Sequence, residues 1–157
     1  MNLETVFALL GPAYLLIVAW PLSKIDLRER RLPNVLVLPA IPVTLLGQII
    51  AATLGGEWWR LGLATLASTF AFIVGLAVNR GAGMGMGDVK LIAAITLALG
   101  WFSPLSPLVA LFIGFAVATL VILVLFLARK TKLGSSIALG PYLLIGFAAS
   151  LVTLPFG

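Results

Sequence analysis

Apolar residues in this chain come in long blocks, and the polar residues collect in short connections between them. Blocks of this kind fit helices crossing lipid; alternating strands or a soluble bundle would read differently. The pattern predicts six helices, at about residues 5–23, 34–54, 61–78, 88–99, 107–128 and 137–154. The fourth is short for a full crossing, so it starts inside the GAGMGMGD segment or enters the membrane at an angle. Pro39 and Pro42 lie inside the second helix and predict a bend or an opening there. Gly75, Gly114 and Gly146 lie singly in the apolar blocks, where a missing side chain permits close helix approach. The expected architecture is all-α: a polytopic membrane protein forming a single domain over residues 1–157.

Charge sets the orientation. The first connection carries Lys24, Arg28, Arg30 and Arg31, the third Arg80 with Lys90 just beyond it, and the fifth Arg129, Lys130 and Lys132. The second has Arg60 beside Glu57, and the fourth, WFSPLSP, has no charge. Basic residues on alternate connections predict that those connections face the cytoplasm and that both chain ends face outward. The first apolar block lacks a basic leader and carries Glu4, so it reads as a retained span and not a cleaved signal. The net charge of +5 is then a matter of orientation and of contact with anionic lipid head groups, with no nucleic-acid-binding module in view.

Composition narrows the chemistry further. With 62% hydrophobic and 10% charged residues, the chain has too little polar surface for a soluble domain of its length. It contains no cysteine and no histidine. Thiolate nucleophiles, disulfides, serine–histidine triads and histidine metal sites are therefore excluded.

Two carboxylates remain of interest. Asp26 follows Ile25 at the cytoplasmic end of the first helix, and Asp88 opens the fourth after Gly85-Met86-Gly87. The charge pattern places both on the cytoplasmic side at similar depth, with Glu4 and Glu57 on the opposite face and Glu29 in a loop among arginines. Each has an ordinary explanation: Asp26 as a loop carboxylate balancing its basic neighbours, Asp88 as a helix N-cap or a partner of Lys90 or Arg80. As a pair they have a chemical use. Two carboxylates in a partly dry site share one proton, so one member can activate water while the other supports a carbonyl oxygen. That is aspartic peptide hydrolysis, and it needs no cofactor. Gly81, Gly83, Gly85 and Gly87 alternate with Ala82, Met84 and Met86, a run expected to resist helix and to admit an extended peptide. Lys90 can neutralise an ionised aspartate or reach the head groups; the second is the expectation.

Three stretches resemble the prepilin peptidases, the GxGD intramembrane aspartic peptidases: IDLRERRLPN at 25–34, GMGMGDVKLIAA at 83–94 and ALGPYLLIGF at 138–147. The resemblance covers nearly the whole chain. It implies an endopeptidase that removes the short basic leader of type IV prepilin-like precursors, cutting after a glycine at the cytoplasmic membrane face. It also implies that Asp26 and Asp88 are the catalytic pair. Gly85, Gly87 and Lys90 are then expected to shape the substrate site. The absence of cysteine resembles the short, peptidase-only form of Tad/Flp pilus systems, without the N-methyltransferase region. The expected partners are a prepilin or pseudopilin leader with its adjoining apolar helix, and membrane lipid. Two other readings stay open: a small proton-coupled transporter using the aspartates as a relay, and a non-catalytic pilus assembly factor. Two carboxylates alone make an incomplete divalent-cation site, so no metal is expected.

Overall fold

The computed structural model describes residues 2–128 and 138–154. All of its regular structure is helical: α1 (Leu3–Ala8), α2 (Leu10–Glu29), α3 (Asn34–Val37), α4 (Ala40–Gly55), α5 (Trp58–Ala82), α6 (Met86–Gly100), α7 (Ser106–Leu127) and α8 (Gly140–Val152). α1 with α2, and α3 with α4, each form one near-continuous rod, so the eight pieces make six helical segments. Among the described residues, Leu3–Glu29, Asn34–Gly55, Trp58–Gly81 and Ser106–Leu127 are long and apolar enough to cross a membrane, and α8 is a shorter apolar helix. The basic residues Arg129, Lys130 and Lys132, and the expected start of the last helix at Ile137, lie outside the described residues.

α6 is the axis of the molecule. Every residue from Leu91 to Gly100 is buried, and α6 contacts α5, α7, α4, α2, α3 and α8. Around it, Leu15 and Leu22 of α2, Val37 of α3, and Leu143 and Phe147 of α8 pack against Leu91, Ile95 and Leu99. The outer helices are different. Leu66 and Phe70 of α5 and Phe112 of α7 are each more than two-thirds exposed. Such apolar surface belongs against lipid tails.

Glycines set the closest approaches, as their isolated positions in the sequence suggest. A Cβ on Gly146 would stand 2.1 Å from the carbonyl oxygen of Ala110, and one on Gly75 would stand 2.7 Å from Val89 Cγ1. The α7–α8 and α5–α6 backbones can therefore pack closely only with hydrogen at these positions. Gln48 of α4, a long polar side chain in the interior, donates from Nε2 to the Leu97 carbonyl of α6 at 2.7 Å, fastening the two helices.

Two regions depart from the sequence reading, each for a local reason. The first helix does not stop near residue 23. It continues through Asp26 to Glu29, and Arg30, in the left-handed region at φ 51°, caps it by donating its N–H to the Asp26 carbonyl at 2.8 Å. Leu32 precedes Pro33, which disfavours continued helix. Asp26 and Glu29 are thus helical, not loop, residues. The glycine run is also more helical than expected: Gly81 belongs to α5 and Gly87 to α6, leaving only residues 83–85 outside. Gly83 turns the chain at φ 72°, and the Asn79 side-chain amide donates to the Met84 carbonyl across the turn. The helical cost of glycine, about 1 kcal/mol each, is outweighed at Gly87 by packing against Leu32, while Gly81 is exposed at the end of α5. The opening in the second helix falls at Pro39, between α3 and α4, as its prolines suggested.

Candidate active site

Three helix ends meet at one end of the bundle. α2 arrives at its C-terminus carrying Asp26; α6 and α8 depart at their N-termini, carrying Asp88 and Gly140. Leu32, just after α2, is the piece between them. A Cβ on Gly87 would lie 2.7 Å from Leu32 Cβ, and one on Gly140 would lie 3.0 Å from Leu32 Cδ2. Both helix starts close onto this one side chain because neither has a side chain of its own there.

Asp26 is buried, 3% exposed. Its Oδ2 accepts the N–H of Gly140 at 2.9 Å. Gly140 is the first residue of α8, and Pro141 follows it, so one of the unpaired N–H groups of a helix start goes to this carboxylate. A helix N-terminus is a favourable seat for negative charge. A Cβ on Gly140 would come within 2.7 Å of Asp26 Oδ2, so the contact requires glycine.

Asp88 is the third residue of α6. Gly85 occupies the N-cap position, and no side chain caps the helix, so Asp88 is not the N-cap that its place in the sequence allows. Its Oδ1 is buried and has no hydrogen-bond partner, which sets it apart from nearly all buried polar atoms. Asp26 lies within electrostatic reach of it. The salt bridges among the described residues are Arg31–Glu29 at 2.7 Å and Arg60–Glu57 at 3.0 Å, and neither involves an aspartate.

The remaining sequence candidates fall close by, with different contacts. Gly85 faces Asp88: a Cβ there would stand 2.8 Å from Asp88 Oδ2. Gly87 faces Leu32, as described above. Lys90 meets neither carboxylate in a salt bridge; its Nζ donates to Asn34 Oδ1 at 2.9 Å, tying the start of α3 to α6. Among the described residues, no group of three or more acidic side chains gathers as a metal site would need.

Sequence reasoning missed Gly140 and Leu32 as partners of this site. The signal for Gly140 was present, since Leu139-Gly140-Pro141 is the pattern of a helix start with an N–H to give. Which acceptor it meets depends on how α8 crosses α2, and that is not a local property. Leu32 looks like any apolar residue of a connection; only its burial distinguishes it.

A family model described as the type IV leader peptidase family matches residues 13–157. Two curated relatives carry the name prepilin leader peptidase/N-methyltransferase. The protein from Stutzerimonas stutzeri is 31% identical over 137 residues, covering 83% of this chain and 46% of its own length. The protein from Pseudomonas aeruginosa is 32% identical over 142 residues, with the same two coverages. The chain thus spans about half the length of the curated relatives it matches. No solved structure matches it. The matched region takes in Asp26, Asp88 and Gly140 together, and the chain belongs to the type IV leader peptidase family.

Proposed function

We propose that this protein is an intramembrane aspartic endopeptidase that removes the leader of type IV prepilin-like precursors, with Asp26 and Asp88 as its catalytic pair. The observation that carries the reading is the unequal pairing of two neighbouring carboxylates. Asp26 accepts a hydrogen bond from a helix start, while Asp88 keeps a buried oxygen with no partner. A hydrogen-bond-donating environment suits an ionised carboxylate, and a carboxyl oxygen left free suits a group that must take up and give back a proton.

The chemistry follows from that division. Asp26 takes a proton from a water molecule as the water oxygen bonds to the scissile carbonyl carbon. Asp88 gives its proton to the carbonyl oxygen. Collapse of the resulting diol breaks the C–N bond, the nitrogen takes the proton from Asp26, and Asp88 regains its own. Gly85 leaves room beside Asp88 for a peptide to approach, Gly87 lets Leu32 close onto the start of α6, and Lys90, through Asn34, steadies the entrance. A peptide bond in a non-helical junction is the suitable substrate, because bonds inside a membrane helix are already hydrogen-bonded and shielded. The basic connections support placement in a cytoplasmic membrane with the site at the cytoplasmic face and both chain ends outside.

The test is co-expression of a membrane-inserted prepilin with the wild-type protein, Asp26→Asn or Asp88→Asn, reading the N-terminus of the product and the membrane level of each enzyme. Leader removal by the wild type alone is expected. A leader-free product from either variant overturns the assignment. Proton flux without cleavage in reconstituted vesicles would favour the transporter, and pilus assembly by a variant lacking both carboxylates would favour the assembly factor.

A further inference from the structure

A second feature of α6 bears on how a substrate reaches the aspartates. α5 and α7 both pack on α6, and a groove of about 480 Å³ runs between them with α6 as its floor. Its walls include Ala67 and Val74 of α5 and Leu108 and Leu111 of α7; its floor is Ile92 and Thr96. The lining is almost wholly apolar, and the Thr96 hydroxyl is already spent on the Ile92 carbonyl at 2.8 Å. A polar ligand would find no free side-chain donor there.

The floor is continuous with the site. Asp88, Ile92 and Thr96 are spaced by four residues and so form one stripe along α6. The last residue before the α6 entrance that lines the groove is Met84, next to Gly85, whose missing Cβ faces Asp88. On α5 the groove extends from Ala67 to Val78, about 16 Å or three helical turns. Asp88 stands one helical turn beyond Ile92, past the end of the lined trough.

We infer that this groove seats the apolar helix of the substrate, with the helix N-terminus at Met84 and the chain unwinding there onto Asp88. The inference rests on the peptidase reading above and deepens it. That reading calls for a membrane helix whose N-terminal junction is cut, and a helix laid along the Asp88–Ile92–Thr96 stripe presents that junction and no other part of itself. Apolar residues at successive turns of one substrate face would enter the groove, as in other helix-in-groove complexes. The groove fixes the direction of the substrate, and the carboxylates act on whatever emerges at its head.

Because the chain has no cysteine, single cysteines can report the docking directly. In an Asp88→Asn background, Val74→Cys and Leu108→Cys face the groove, while Thr69→Cys and Leu120→Cys are exposed and lie outside its lining. The probe is a membrane-inserted prepilin with one cysteine about two helical turns past its leader junction. Disulfide adducts with this prepilin are expected at the two groove positions, at about tenfold the yield of the outward positions. Equal yields at all four, adducts between two enzyme molecules only, or no prepilin adduct from an enzyme whose wild type still cuts it would overturn the docking and leave the peptidase reading standing. Failure of the wild type to cut any prepilin would instead strike the peptidase reading, and the docking with it. As an independent readout, Ala67→Trp fills the groove away from the carboxylates. It is expected to raise KM for the prepilin about tenfold, the scale of overpacking an apolar site, with kcat within about twofold. An unchanged KM overturns the docking.

Discussion

Asp26 and Asp88 are the same side chain in two different seats. Asp26 sits at the end of a helix, buried, with one oxygen on the N–H of Gly140. Asp88 sits at the start of a helix, with one oxygen buried and unpartnered. The first seat fixes a carboxylate by an interaction from across the fold. The second leaves one free to exchange a proton. A pair of identical acids does directional chemistry only when its surroundings make the two unequal, and here the inequality comes from α8, a helix that carries neither of them.

Breaking that comparison outright should have the largest effect. Asp26→Asn or Asp88→Asn is expected to lower prepilin cleavage by about 10³-fold or more, measured as product formed per enzyme in membranes. Gly140→Ala attacks the inequality alone. Its Cβ would crowd both Asp26 Oδ2 and Leu32, and a misplaced carboxylate is expected to cost about 10²-fold in kcat, with both aspartates still present. Gly87→Ala pushes on Leu32 from the Asp88 side; about tenfold in kcat is expected, and a loss as large as that of Gly140→Ala would argue that the Asp26 seat is not special. Gly83→Ala is the sharpening control. Its φ of 72° disfavours any side chain, yet a Cβ would meet nothing there, so about 1–2 kcal/mol of stability should go, read by thermal unfolding in detergent, with little change in activity per folded enzyme. Smallest is Lys90→Met, which removes a hydrogen bond to Asn34 at the surface. About 0.5–1 kcal/mol is expected, again by thermal unfolding.

The helices and the two carboxylates could be read from the sequence because both are written locally. Apolar blocks mark the segments, and charge on alternate connections puts Asp26 and Asp88 at one end. Helix limits were harder where a rule of thumb met packing. The Gly81–Gly87 run argues against helix by propensity, yet Gly87 is helical because its bare Cα fits against Leu32. Asp26 was expected just beyond a helix because basic residues surround it, but Lys24 and Arg28 extend outward from an α2 that continues to Glu29. The partners of the site were the least legible. Whether the Gly140 N–H meets Asp26, or Lys90 meets Asn34 and not an aspartate, is decided by how distant helices cross. No spacing along the chain encodes that.

The length of α6 has a consequence for the membrane itself. Its 15 residues give a rod of about 22 Å, against a hydrocarbon layer about 30 Å thick. A helix that falls short of the bilayer leaves a depth at its ends that lipid must thin to match or that water must enter. Asp88 stands in the first turn of that short helix, next to the open turn at residues 83–85. Residues Leu91–Gly100 of α6 are covered by neighbouring helices and not by lipid, so the shortfall is one that water must fill, and the carboxylate in the first turn of α6 stands at that depth.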